Sequence, residues 1–140
     1  MRLTDLEPGA PGLDAALAVL RELRPEHTPD SVAERFAVQH AEGYRLTAAF
    51  DGATCLGVAG WRVFTTFADG RTLHLDDLVT ATQARSGGVG ARLLRHLEEW
   101  ARADGCARLR LDSGVTRHGA HRFYLREGYR IASHHFEKDL

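Results

Sequence analysis

The sequence predicts a mixed α/β (α+β) fold in which helices flank a mixed central sheet, and two patterns support this. Between Tyr44 and Thr80, three strand-like runs are separated by Asp51-Gly52 and by Ala68-Asp69-Gly70, which is typical of two adjacent antiparallel hairpins. After them, an apolar run, a helical pattern and a second apolar run predict a strand–helix–strand crossover with parallel strands. The expected element order is β-α-α-β-β-β-α-β-α-β.

The first half of the chain predicts one short strand and two helices before the hairpins. "RLTDLEP" is the opening strand, and "GLDAALAVLREL" has leucines and alanines at helical spacing. Thr28 and Pro29 are a suitable cap and first-turn pair for the second helix, and Gly43 is suited to end it. The predicted buried stripe of that second helix consists of Val32, Ala33, Phe36 and Ala37.

The second half predicts two more helices and two more strands. Apolar side chains from Val89 to Ala101 recur on one face of a helix that Gly105 ends. "CARLRLDSG" is the next strand, and "RHGAHRFYLREG" is a short helix that Gly128 ends. "YRIASHHFEKDL" is expected to form the last strand of the sheet.

Composition limits the classes of protein to consider. A chain of 140 residues suits a single domain over 1–140, and 44% hydrophobic residues suffice for one packed core. A formal net charge of −1 indicates neither a nucleic-acid nor a membrane partner. No signal peptide is visible, and Cys55 and Cys106 are expected to be buried thiols in a reducing compartment, hence the cytoplasm. The histidines lack metal-ligand spacing, so no metal is expected.

The stretch "TQARSGGVGARLL", residues 82–94, places three glycines at the start of a helix. A helix N-terminus offers unpaired N–H groups and the positive end of the helix dipole, and glycines permit close approach of an anion. Arg85 adds a guanidinium suited to bidentate phosphate contact. The loop therefore predicts a phosphate site, although a merely flexible strand-to-helix turn is an alternative. Neither the P-loop nor the dinucleotide fingerprint fits.

Two motifs together resemble the GNAT family of N-acetyltransferases. "RSGGVG", from Arg85 to Gly90, fits the family signature R-x-x-G-x-G/A, although Ser86 stands where the family usually has glycine. "AHRFYLREGY", from Ala120 to Tyr129, fits the second block A-x-x-F-Y-x-x-x-G-F/Y. The two blocks occur in the family's order, separated by one helix and one strand, so the resemblance covers essentially the whole chain.

The resemblance implies a splayed sheet, acetyl-CoA as co-substrate and transfer of acetyl to an amine of a small molecule or peptide. Tyr124 matches the general acid, with aromatic packing of a short helix as the alternative. The backbone of Leu78, Val79 and Thr80 would pair with the pantetheine arm. The remaining implied cofactor-binding residues are Arg85, Ser86, Gly87, Gly88, Val89, Gly90, Ala91, Arg117 and Phe123.

The roles of Arg117 and Phe123, the oligomeric state and the function itself each have an alternative interpretation. Arg117 stands where many members of the family carry asparagine, and Phe123 is also suited to packing its helix on the sheet. Members of the family often form homodimers, so the oligomeric state is open. A non-catalytic acyl-CoA-binding or sensing module is the alternative function, and a different nucleotide binder is a third.

Asp76 and Asp77 are the candidates for accepting the proton of the acceptor ammonium or for binding it. Family bases often lie on this strand, and an alkylammonium has a pKa of about 10.4, so a proton must leave before attack. In a regular strand the two carboxylates would point to opposite faces. A β-bulge near Asp76–Leu78, which the family places here, would change that alternation. The alternative roles are a solvated strand edge or ion pairs with arginines.

Overall fold

The computed structural model covers residues 1–140 and contains two compact units, Met1–Arg110 and Leu111–Leu140. The predicted element order holds up to the last helix. The strands are β1 (Arg2–Leu6), β2 (Arg45–Asp51), β3 (Thr54–Thr66), β4 (Gly70–Thr80) and β5 (Arg108–Leu111). The helices are α1 (Leu13–Leu23), α2 (Pro29–Ala41), α3 (Val89–Ala103) and α4 (His118–Arg126), with a 3₁₀ turn at Thr82–Ala84. No helix is both long and apolar enough to span a bilayer.

The five strands form one sheet in the order β1-β2-β3-β4-β5, and the first three pairings are antiparallel. Helix α3 connects β4 to its neighbour β5, which is the predicted crossover that makes the sheet mixed. The register between β3 and β4 shifts once: Gly60 lies opposite Asp77, but Trp61 lies opposite Leu75. Asp76 is therefore an extra residue on β4, and the predicted β-bulge is confirmed.

Both faces of the sheet are covered, as the burial of β2 shows from Leu46 to Phe50. On one face, Leu46, Ala48 and Phe50 join a core cluster with the apolar sides of α1 and α2. On the other face, α3 buries its predicted apolar stripe, and Trp100 meets Trp61 edge-on at 4.6 Å between ring centroids. The indole Nε1 of buried Trp61 donates to Thr47 Oγ1 at 3.0 Å, which satisfies both polar groups.

Helix α2 begins as predicted but buries less than predicted. Thr28 Oγ1 accepts the N–H of Ser31, Ser31 Oγ accepts the N–H of Thr28, and Pro29 follows the cap. Only Val32 and Phe36 are buried, and the expectation that Ala33 and Ala37 complete the stripe is wrong. Those two alanines present single methyl groups, so leaving them in water forfeits little apolar burial. The buried face of α2 thus consists of one i, i+4 pair of side chains.

The second unit, Leu111–Leu140, contains α4 and a segment without regular secondary structure. Gly128 follows α4 with φ +95°, a conformation that glycine adopts without strain. The predicted final strand is wrong, because residues 129–140 form neither helix nor strand. Its apolar alternation fails at Ser133-His134-His135, and Ile131 and Phe136 are exposed.

Candidate active site

The glycine loop between β4 and α3 adopts a conformation that favours residues with small side chains. Ser86 has φ +69°, the only positive φ outside glycine, and Gly88 has φ +77° at the N-cap of α3. Gly88 O accepts the N–H of Arg92 at 3.0 Å, which closes the first helical turn. The N–H groups of Val89, Gly90 and Ala91 belong to that turn and have no intrahelical acceptor.

The start of α3 is fixed on the sheet by close contact with β3. A Cβ added at Gly57 would lie 2.8 Å from Val89 Cγ1 and 3.0 Å from Val79 O, so only glycine allows this approach. Val89 is buried, whereas Arg85 and Ser86 are exposed. Arg85 forms no ion pair, so its guanidinium is available to an anion at the helix start. The loop thus presents unpaired N–H groups and one unpaired cation beside a rigid helix.

The end of β4 has an open edge beside this loop. Leu78, Val79 and Thr80 pair with Ala59, Val58 and Gly57 of β3 on one side. On the other side, Ala107 N–H donates to Arg71 O at 2.9 Å, so β5 begins opposite the start of β4. With four residues, β5 ends before it reaches Leu78. Strands β4 and β5 therefore separate where an extended ligand could hydrogen-bond to β4.

Asp76, the bulged residue, pairs with Arg62 of β3. Its two carboxylate oxygens accept from Arg62 Nη2 at 3.2 Å and from Arg62 Nε at 3.1 Å, and His74 Nε2 lies 3.8 Å from Oδ1. Burial raises the pKa of Asp76, against the opposing effects of Arg62 and His74, and the nearby Asp77 carboxylate raises that pKa further. The Asp76 side chain keeps 23% of its surface exposed, so a ligand has access to it.

Asp77 is buried in a hydrogen-bonded network of distant residues. Arg24 donates to Asp77 Oδ1 from Nε at 2.9 Å and from Nη2 at 2.7 Å, and Tyr44 Oη donates to Oδ2 at 2.8 Å. These partners lie 53 and 33 residues away along the chain. Burial, with the Asp77 charge, raises the pKa of Tyr44 well above its usual value, so Tyr44 stays a donor. Burial lowers the pKa of Arg24, but the hydrogen bond and charge of Asp77, with smaller contributions from Glu26 and Tyr44, raise that pKa by more, so the net change is a rise.

Gly60 makes room for the Tyr44 hydroxyl in this network. A Cβ at Gly60 would lie 1.5 Å from Tyr44 Oη and 2.2 Å from Tyr44 Cζ, which is incompatible with the observed position of the ring. Gly60 is also the residue of β3 that pairs with Asp77. The absence of a side chain at position 60 therefore allows the phenol to reach the carboxylate.

A cleft of about 290 Å³ lies where α1, α2 and β4 meet, and we call it the Asp77 cleft. Its walls include the apolar side chains Leu20, Val32 and Phe36. Its ionisable side chains are Arg24, Glu26, His27, Arg35, Asp76, Asp77 and Tyr44. Because of the bulge, two consecutive carboxylates of β4 line one cleft, which a regular strand would prevent.

In the second unit, helix α4 contains Phe123 and Tyr124, and Arg117 immediately precedes it. The ring centroids of Phe123 and Tyr124 are 5.2 Å apart, and Tyr129 is 6.0 Å from Tyr124. Burial raises the pKa of Tyr124, and the charge of Arg117 partly opposes that rise, so the phenol is protonated at neutral pH. Arg117 is the N-cap residue of α4.

On the sequence alone, the glycine loop, Asp76, Asp77 and Tyr124 were proposed as candidate site residues, but the hydrogen-bonded network around Asp77 was not predicted. Arg24 ends a helix and Tyr44 precedes a strand, and neither belongs to a motif. Both aspartates form ion pairs with arginines, which was the structural alternative for them. No group of three or more histidine, cysteine, aspartate or glutamate side chains converges in a way that could hold a metal ion.

Comparison with known proteins gives consistent results. Residues 13–129 match the acetyltransferase (GNAT) family. An uncharacterized N-acetyltransferase of Bacillus subtilis, YhdJ, is 34% identical over 124 residues, which cover 87% of each chain. An aminoalkylphosphonate N-acetyltransferase of Salmonella typhimurium is 39% identical over 67 residues, 48% of this chain and 44% of that protein.

The fold matches solved acetyltransferase structures as well. An aminoglycoside N-acetyltransferase in complex with CoA superposes with a TM-score of 0.83, covering 99% of this chain and 93% of that one, at 14% identity. At that identity the likeness concerns the fold alone.

Proposed function

Because the chain belongs to the acetyltransferase (GNAT) family, we propose that it moves acetyl from acetyl-CoA to a primary amine of a small molecule or peptide, by direct transfer in a ternary complex. The observation that carries this proposal is the glycine loop. It combines the unpaired Arg85 with unpaired N–H groups at the start of α3, which is the arrangement that a diphosphate requires.

In this proposal the cofactor extends from the loop along β4. Arg85, Ser86, Gly87, Gly88 and the first-turn N–H groups of α3 bind the pyrophosphate of acetyl-CoA. The open edge at Leu78–Thr80 hydrogen-bonds the pantetheine arm, and a backbone N–H there polarises the thioester carbonyl. Arg117 and Phe123 contribute a cation and an apolar contact to the same ligand. The CoA bound to the structurally similar aminoglycoside enzyme supports this choice of cofactor.

The acceptor amine occupies the Asp77 cleft in this proposal. Asp76, which is more exposed than Asp77, binds the ammonium and passes its proton to solvent, directly or through one water. Asp77 already accepts hydrogen bonds on both oxygens, so its role is to position Arg24 and Tyr44. The relative that acetylates an aminoalkylphosphonate supports a small amine as the acceptor.

The chemical step begins when the neutral amine nitrogen attacks the thioester carbonyl carbon. The tetrahedral intermediate then collapses, the carbon–sulfur bond breaks, and Tyr124 donates its hydroxyl proton to the leaving sulfur. With reference pKa values of about 10 for tyrosine and about 8.5 for a thiol, this proton transfer is uphill by about 1.5 pKa units. The proton that the amine releases restores Tyr124 and completes the cycle. No cysteine nucleophile is needed.

Two measurements on purified protein test the proposal. Calorimetry should detect binding of coenzyme A, with ATP and NAD failing to compete. Release of free thiol from acetyl-CoA should then depend on adding an amine from a panel. Binding of coenzyme A without amine-dependent thiol release would favour the sensing module, and the absence of both would overturn the proposal.

Replacement of Tyr124 by phenylalanine tests whether Tyr124 is the general acid that protonates the leaving thiolate. We expect Tyr124→Phe to lower kcat by about a hundredfold, because the leaving thiolate loses its proton donor, while the Kd for coenzyme A stays within about twofold. Tyr129→Phe is the matched control, since the second motif accepts phenylalanine at position 129. Equal losses of turnover and of coenzyme A binding in Tyr124→Phe would instead make the tyrosine structural.

A further inference from the structure

The consecutive carboxylates of Asp76 and Asp77 do not make the Asp77 cleft negatively charged. Asp77 is paired with Arg24 at 2.7 Å, and Asp76 is paired with Arg62 at 3.1 Å. Each of these carboxylates therefore has its own arginine, and together they contribute no net charge to the cleft. A dicationic or polycationic amine would find no surplus of negative charge here.

Three ionisable side chains of the cleft lie outside these ion pairs and the Tyr44 hydrogen bond: Glu26, His27 and Arg35. The Nδ1 atom of His27 lies 3.0 Å from Ser31 Oγ. Glu26 and Arg35 line the Asp77 cleft, and neither forms a salt bridge. The Glu26 charge acts on Arg24, whose pKa it helps to raise, whereas Arg35 has no carboxylate partner. The cleft thus presents one unpaired guanidinium on α2 together with carboxylates on β4 and at Glu26. A guanidinium in such a position is suited to a planar or tetrahedral anion.

The volume and the lining of the Asp77 cleft restrict the class of ligand further. About 290 Å³ lies at the small end of ligand sites, so the cleft suits a metabolite rather than an oligosaccharide. Leu20, Val32 and Phe36 supply an apolar wall against which a hydrocarbon portion would pack. The cleft therefore offers three complementary surfaces: carboxylates for an ammonium, apolar side chains for a short carbon skeleton, and Arg35 for an anion.

We propose that the acceptor is a small zwitterionic amine, in which a carboxylate or phosphonate bound by Arg35 accompanies the amine that is acetylated. This inference rests on the proposed function, because it assigns the substrate class of the same site. Arg35 acts as a specificity residue that contacts the substrate's anionic group and takes no part in the bond changes.

Matched amines test the inference through amine-dependent thiol release from acetyl-CoA. One set is leucine, leucinamide and 3-methylbutylamine, and a second set is 2-aminoethylphosphonate and propylamine. We expect kcat/KM of the wild-type protein to be at least about tenfold higher for an anionic member than for its uncharged partner. Leucinamide is a stringent comparison. Its α-amino group has a pKa of about 8, so more of it is in the neutral, nucleophilic form, which by itself would favour leucinamide over leucine. The two sets distinguish a carboxylate from a phosphonate.

Substitution of Arg35 then assigns the preference to that side chain. We expect Arg35→Gln to lower kcat/KM for the preferred anionic amine by about tenfold to a hundredfold, mainly through KM. Its activity with the uncharged partner should stay within about twofold. Arg102→Gln, on the last turn of α3, removes the same charge from an exposed site outside the cleft and should change neither activity.

Each result bears on either the inference or the proposed function. Equal use of the anionic and uncharged amines by the wild-type protein would overturn the zwitterion inference and leave N-acetylation standing. Equal loss on both amines in Arg35→Gln would overturn the role of Arg35. Binding of coenzyme A with no thiol release on any amine would overturn the proposed function, and the inference with it.

Discussion

The Asp77 network, which consists of Asp77, Arg24 and Tyr44, and the glycine loop are held in place in opposite ways. In the network, two side chains from distant parts of the chain, Arg24 and Tyr44, converge on the buried carboxylate of Asp77. In the loop, backbone dihedrals and the near absence of side chains define the shape, and its cation, Arg85, is exposed and unpaired. The network already satisfies its own charges, whereas the loop leaves its charge and its N–H groups unsatisfied.

The difference indicates which region is built for stability and which for a ligand. A buried carboxylate that loses a partner incurs a desolvation penalty at once, so the network contributes to stability with or without ligand. Unpaired N–H groups in the exposed loop are hydrated and cost little until an anion displaces the water. Substitutions in the network should therefore change unfolding most, whereas removal of the exposed cation of the loop should change binding rather than unfolding.

The largest effect is expected at Gly60. We expect Gly60→Ala to lower the free energy of unfolding by about 3 kcal/mol, because its Cβ would occupy the position of the Tyr44 hydroxyl and displace it from Asp77. Urea denaturation measures this change. Gly119→Ala is the matched control, since the nearest atom to its Cβ is the end of Arg122 at 3.9 Å. A stable Gly60→Ala protein would show that the network does not constrain the fold.

A smaller effect, confined to binding, is expected at Arg85. We expect Arg85→Ala to weaken coenzyme A binding by about tenfold, about 1.4 kcal/mol, because one charge-assisted contact to phosphate is lost. Its urea midpoint should match that of the wild type, since Arg85 is exposed and unpaired. Calorimetry at two salt concentrations measures the loss, with Arg102→Ala as control. Unchanged affinity would remove Arg85 from the proposed pyrophosphate site.

The smallest effect is expected at Ser86. We expect Ser86→Gly to raise the free energy of unfolding by about 0.5 kcal/mol, because glycine adopts φ +69° without strain and this gain exceeds its entropy cost. Ser86→Val should lower it by about 1 kcal/mol, since a β-branched residue is poorly suited to positive φ. Thermal unfolding of the pair measures both. The same stability in both variants would mean that the backbone at position 86 rearranges freely.

The parts of the molecule that the sequence predicted are those specified by nearby residues. The hairpins follow from Asp51-Gly52 and Asp69-Gly70, and the start of α2 follows from Thr28 and Pro29, because these signals lie within one turn. The glycine loop was recognisable for the same reason. The bulge at Asp76 was also predicted, because strict alternation would have placed Asp77 on one face with leucines and a valine and because the GNAT family has a bulge at this position.

The parts that the sequence did not predict depend on contacts between distant residues. Arg24 and Tyr44 meet at Asp77 only because the sheet brings their elements together, and nothing near either residue signals this. The prediction of a final strand was wrong for a related reason. Residues 129–140 contain apolar side chains, but a strand also requires a neighbour that supplies backbone hydrogen bonds.

The attachment of Arg24 and Tyr44 to one carboxylate has a consequence for residues 25–43. This segment contains α2 and is closed at its two ends on a single residue of β4, while α2 itself buries only Val32 and Phe36. We therefore expect that the rest of this segment can be exchanged for that of a relative while Val32 and Phe36 are retained and Arg24 and Tyr44 keep their hydrogen bonds to Asp77. Because Glu26 and Arg35 of the proposed acceptor cleft lie in this stretch, we expect grafting it to change which amine is acetylated.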